Sequence, residues 1–162
     1  MSAVLLAVLT ICLLLLFFQD LKHREIHILL PVVVFLIALG LLQLKGILNY
    51  VIPLYNIGFF IFIFSILILY MSIKNKSFLN PFANYFGLGD LLFFIAIAPF
   101  FILNNYIFFF ILSMLFSIVL QLAFKKWMNN DTVPLAGFSA LLLIMAIGSD
   151  LLFDFQKFTL IV

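Results

Sequence analysis

Long, continuous apolar runs separated by short polar breaks limit this chain to very few folds. The runs are Ser2 to Phe18, Ile26 to Leu44, Tyr50 to Ile73, Leu91 to Leu103, Tyr106 to Phe124, and a last one from near Val133 to about Ile147. With 68% hydrophobic and 9% charged residues, the chain lies far from soluble domains, which run at roughly 45–50% apolar and about 25% charged. A soluble core of this size has no room for that much apolar surface, whereas lipid accepts it. In hydrocarbon every backbone polar group needs an internal partner, so the chain must form helices or a closed barrel. The runs lack the alternation of barrel strands, which leaves helices. The expected fold is an all-α polytopic membrane protein with six transmembrane helices, forming a single membrane domain over residues 1–162.

Local signals refine this outline. Pro53 falls near the start of the third run, where a missing N–H costs little. The fourth run is short, and Pro99 is expected to kink it. Asn104 and Asn105 are expected to form a tight turn between the fourth and fifth spans. The longest connection runs from Lys74 to Gly89. Pro134 opens the last span, with Asp131 or Thr132 as its N-cap. Ser2 to Phe18 has no basic segment before it and no clear small-residue cleavage site after it, so it reads as a retained span.

The single cysteine, Cys12, lies inside an apolar run; one thiol builds neither a disulfide nor a zinc site, and it reads as a small buried hydrophobe. A net charge of +2 gives no reason to expect a nucleic-acid partner. The basic residues suit loops at the membrane surface. Lys22 and Arg24 follow the first run, Lys74 and Lys76 the third, Lys125 and Lys126 the fifth, and only Lys45 and Lys157 fall on the other side. Short cytoplasmic loops collect Lys and Arg, so the N-terminus is expected outside and the odd-numbered connections in the cytoplasm.

The acidic residues number 6: Asp20, Glu25, Asp90, Asp131, Asp150 and Asp154. A carboxylate at a membrane is costly, which makes a functional role the default hypothesis. The expected topology puts Asp20 at the cytoplasmic end of the first span and Asp90 at the cytoplasmic start of the fourth. Two converging aspartates cannot both ionise easily, so they share a proton. The ionised member draws a proton from water, and the other donates to the scissile carbonyl and then to the leaving amine. The plainer alternatives are that Asp20 ends a helix and solvates a loop, and that Asp90 is an N-cap for Leu91-Leu92-Phe93-Phe94. Gly87 and Gly89 stand just ahead of Asp90. Glycine allows positive φ and close approach of another backbone, as an extended substrate would need; the alternative is a glycine-rich turn.

Gly87-Leu88-Gly89-Asp90 resembles the G-x-G-D signature of membrane aspartic peptidases, a group that includes type IV prepilin peptidases and archaeal preflagellin peptidases. Asp20-Leu21-Lys22-His23-Arg24-Glu25-Ile26 is similar to the prepilin peptidases' first-aspartate motif. Val133-Pro134-Leu135-Ala136-Gly137-Phe138 resembles their late Ile-Pro-Phe-Gly-Pro segment. The resemblance implies an aspartic endopeptidase of the cytoplasmic (inner) membrane that removes the basic leader of prepilin-like or pseudopilin substrates, as in type IV pilus assembly and protein secretion. It implies Asp20 and Asp90 as the catalytic pair and Gly87 and Gly89 as residues that shape the substrate site, with no metal and no cofactor. Lys22 and Arg24 are expected to act as plain cytoplasmic-side anchors near lipid.

The chain departs from the family pattern in three places. Leu92 stands where the family often has Lys, His27-Ile28 where it has Pro-Asn, and Gly137 where it has a second proline. These departures bear on substrate type and efficiency more than on the pair. There is no room for the cysteine-bearing insertion of many bacterial members, so no methyltransferase activity is expected. His23 and His27, at i and i+4, can share a helical face, but no further ligand lies near them and solvated interface histidines are the expectation. Two other readings remain. A lipoprotein signal peptidase would use Asp150 and Asp154, with Asn56-Ile57-Gly58-Phe59-Phe60 as a faint motif. A non-catalytic scaffold or transporter subunit would need no acid pair, although a transporter usually carries polar residues at mid-membrane.

Overall fold

The structure, a computed structural model, describes residues 2–75, 87–124, 133–152 and 158–161. The N-cap expected at Asp131 or Thr132, most of the Lys74–Gly89 connection, and Asp154, Lys76, Lys125, Lys126 and Lys157 lie outside the described residues. The described residues are helical, without strands: α1 Ser2–His23, α2 Leu29–Leu44, α3 Val51–Asn75, α4 Leu88–Ala96, a 3-10 turn Ala98–Phe100, α5 Leu103–Phe124 and α6 Leu135–Leu152.

Four of these helices (α1, α3, α5 and α6) are long and apolar enough to cross a membrane, while α2 and the Leu88–Phe100 segment are shorter apolar helices. Of the six expected spans, four have helices long enough to cross, and two coincide with helices shorter than that. A helix rises about 1.5 Å per residue, so α4, at 9 residues, is far too short to span alone. Leu36, Phe62, Leu122 and many other large apolar side chains point outward, as expected where lipid is the solvent.

The shortness of α4 has a local cause. Pro99 was expected to kink a continuous helix, but the helix ends at Ala96 and the chain continues as the 3-10 turn. Proline has no N–H to offer the carbonyl four residues back, and its ring crowds that carbonyl, so the helix stops. The break leaves carbonyls that need donors from elsewhere, and Asn56, fully buried on α3, supplies two: its Nδ2 donates to the carbonyls of Ala98 and Phe101, both at 2.7 Å. The Tyr106 hydroxyl donates to the Phe94 carbonyl at 2.9 Å, and the Leu160 amide to that of Phe100 at 2.7 Å. Helix α5 begins at Leu103, so Asn104 and Asn105 fall in its first turn and do not form the expected tight turn. Around the break, Phe60, Phe94 and Phe110 form a ring cluster with centroids 5.0–6.0 Å apart, a spacing at which aromatic pairs add to simple burial.

Helix α6 is the axis of the bundle. Of its most apolar window 50% is buried, against 17–22% in α1, α3 and α5. It packs between α1 and α5 and also touches α4. The sequence explains this centrality: Ala136, Gly137, Ser139 and Ala140 are small, and they let neighbouring backbones come close. At the far end of α6, buried Asp150 accepts from the Phe158 amide at 2.9 Å, and from the Thr159 amide and hydroxyl, both at 2.6 Å.

Candidate active site

The site forms where α1 ends and α4 and α6 begin. The first turn of a helix leaves backbone N–H groups without intrahelical partners and carries the positive end of the helix dipole. Two carboxylates fill this need at the start of α6. The Ala136 amide donates to Asp90 Oδ1 at 2.7 Å, and the next amide, Gly137, donates to Asp20 Oδ2 at 2.6 Å. Side chains 70 positions apart are thus held by two consecutive peptide groups. Asp20 is buried and Asp90 half-buried.

Asp90 is anchored a second time. The N-cap of α4 is Gly87, so the expectation that Asp90 is an N-cap is corrected. Asp90 is the third helical residue and reaches back to the Gly87 amide, in the manner of a capping box. It sits just ahead of the apolar run that starts at Leu91. Burial foremost, and then the neighbouring charge of Asp20, raise its carboxyl from 3.8 to about 7. The amides of Ala136 and Gly87 and the charge of Arg24 pull the other way without cancelling the rise. A carboxyl in this state holds a proton near neutrality, as one member of a carboxylate pair should.

The glycines act through their missing side chains. Gly87 has φ of −69°, so it does not use the positive φ that glycine permits. A Cβ there would sit 3.0 Å from Asp90 Oδ2. A Cβ on Gly89 would lie 2.9–3.1 Å from three atoms of Ile26, so its bareness already serves close packing within the chain. Gly87 is exposed.

Sequence reasoning missed the role of Gly137. A Cβ on this residue would meet Asp20 Cβ and Oδ2 at 3.0 Å and the backbone oxygen of Phe17 at 3.3 Å. The residue noted only as a departure from the late motif is the one that lets Asp20 reach the start of α6. A bare residue in the first turn of a helix, next to small Ala136, was the available signal.

Other expectations resolve differently. Helix α1 ends at His23, so His23 and His27 do not share a helical face; the His27 amide turns back to Gln19 Oε1 at 3.3 Å. Among the described residues no group of three or more His, Cys, Asp or Glu is placed to hold a metal. Asn56 and Asp150, the residues of the signal-peptidase reading, are occupied by the helix break and by the 158–159 segment. Cys12 is buried and free.

The family model described as "Type IV leader peptidase family" matches residues 7–122. This stretch contains Asp20, Gly87, Gly89 and Asp90 and stops short of Ala136 and Gly137. No curated protein and no solved structure matches the chain.

Proposed function

Because the chain belongs to the type IV leader peptidase family and is thus a membrane peptidase by kinship, we propose that it is an aspartic endopeptidase whose catalytic pair is Asp20 and Asp90. The observation that carries this reading is the placement of both carboxyl groups on the consecutive amides of Ala136 and Gly137. Each amide occupies one oxygen of its acid and fixes its direction, while the acids remain side by side.

The chemistry follows from one shared proton. Asp20, ionised, takes a proton from a water molecule as the water oxygen attacks the scissile carbonyl carbon. Asp90, holding the shared proton, gives it to the carbonyl oxygen, and a neutral gem-diol results. Asp90, now ionised, takes back a hydroxyl proton as the C–N bond breaks, and Asp20 passes the water-derived proton to the leaving nitrogen. The products are an acid and an amine, and the pair again holds one proton. The preset direction of both groups is itself catalytic, since oriented reactants avoid much of the entropic barrier.

The substrate class we propose is the leader of a prepilin-like or pseudopilin protein, cut at the cytoplasmic face of the inner membrane, as part of pilus assembly or secretion. Lys22 in the last turn of α1 and Lys74 in the last turn of α3 support that orientation under the positive-inside rule. In this reading α2 and the Leu88–Phe100 segment complete a six-helix crossing, and no methyl transfer accompanies cleavage. The test is cleavage of a pre-pseudopilin by the wild type, Asp20→Asn and Asp90→Asn in lipid. Either substitution should abolish cutting while the protein inserts and folds; full activity in either one would exclude the paired mechanism.

A further inference from the structure

Arg24 was expected to be a surface anchor, and the structure places it otherwise. It ends α1 in the left-handed region, at φ 57°, the only non-glycine with positive φ among the described residues. Its amide donates to the Asp20 carbonyl at 3.1 Å. A Cβ makes this conformation unfavourable, and glycine is the residue that usually ends a helix this way. Its guanidinium is unusual as well. Nε and Nη1 are buried and find no hydrogen-bond partner among the described residues. Arg24 stands one helical turn after Asp20, and the burial of Nε and Nη1 keeps this end of the side chain from lipid headgroups. Its charge pulls the carboxyls of both Asp20 and Asp90 down. An arginine has five N–H donors and no acceptor, and leaving such donors buried and unmet is costly. Strained backbone and unmet donors in one residue at a reaction centre are the signature of a group waiting for a ligand.

We propose that Arg24 is a substrate-binding residue whose guanidinium receives a backbone carbonyl oxygen of the peptide being cut. This rests on the peptidase reading above. A peptide lying against Asp20 and Asp90 brings neutral carbonyl oxygens to the place where the donors lack acceptors, and a change of side-chain rotamer is enough to meet them. Neither carboxylate accepts from Nε or Nη1 of Arg24, so the pair does not meet these donors itself.

The experiment uses the Asp90→Asn protein in lipid nanodiscs, which binds without cutting. A fluorescent uncleaved peptide with a basic leader, a glycine and an apolar segment is titrated against it, then against Asp90→Asn/Arg24→Gly and Asp90→Asn/Arg24→Lys. Removal of Arg24 should weaken binding at least about tenfold, with Lys in between. Thermal stability should rise in the Arg24→Gly protein, because strain and unmet donors leave together. Unchanged affinity would overturn the proposal, as would affinity and stability falling together, the mark of a structural prop. An effect of Arg24 seen in anionic but absent in neutral nanodiscs would assign it to headgroups and also overturn it. Failure of the Asp90→Asn protein itself to bind the peptide would refute the peptidase reading, and the Arg24 proposal with it.

Discussion

The two ends of α6 each hold a buried aspartate, and they use it in opposite ways. Asp20 and Asp150 are 6% and 5% exposed, and about 20 Å of helix separates their contact points on α6. Asp150 accepts from three donors, all on Phe158 and Thr159, eight and nine residues further on. Local chain wraps the acid, and the acid pins that chain beside Phe100 and Asn105. Asp20 accepts from Gly137, 117 positions away, and its neighbour is a second acid. Burial alone therefore says nothing about role. A carboxylate surrounded by donors fastens the fold, whereas one that shares its space with another carboxylate is the one to which the proposed mechanism gives proton transfer.

This contrast can be broken by substitution at either end. The greatest effect is expected from the isosteric change of the acids: Asp20→Asn or Asp90→Asn should lower the cleavage rate by at least about 10⁴-fold, while Asp150→Asn should leave it within a few-fold. Comparable losses at both ends would erase the distinction. Next in size is Gly137→Ala. Its Cβ would lie 3.0 Å from Asp20 and 3.3 Å from the Phe17 backbone; a displacement of Asp20 by a fraction of an ångström should cost roughly 10–100-fold in kcat with little change in KM. On the same helix a Cβ at Gly148 meets nothing within 4 Å, so Gly148→Ala should leave the rate unchanged.

Smaller effects appear in stability. Asp150→Asn should destabilise the protein by about 1–3 kcal/mol, read as thermal unfolding in detergent, because buried donors lose a charged acceptor. Asp90→Asn should do the reverse at high pH. The folded chain holds the Asp90 proton more tightly than the unfolded chain does, so its stability falls as pH rises from 3.8 to about 7. Above that range the amide variant should be the more stable by on the order of 2 kcal/mol, and the advantage should vanish in acid.

Much of this site was legible in the sequence, but not its anchor. Long apolar runs announce helices, and acids are so rare that Asp20 and Asp90 stand out. Gly87 and Gly89 were visible as a pattern, yet their bareness serves Asp90 and Ile26, which no local pattern reveals. The joining of the two acids by Ala136 and Gly137 depends on packing across the whole bundle, which spacing along the chain does not encode. Helix α4 misled for a related reason. Pro99 looked like a kink because the cost of a full break is met from elsewhere, by Asn56 on α3. Arg24 misled because a basic residue after a span ordinarily serves as an anchor, and its backbone conformation turns it inward instead.

The coupling between the two acids is open to direct measurement by infrared titration of the protonated carboxyl band in wild-type, Asp20→Asn and Asp90→Asn proteins. The expected result is a band that titrates near 7, disappears in Asp90→Asn, and moves to lower pH in Asp20→Asn, where the neighbouring charge is gone. A band unaffected by Asp20→Asn would show two independent carboxyl groups and contradict the shared proton on which the mechanism depends.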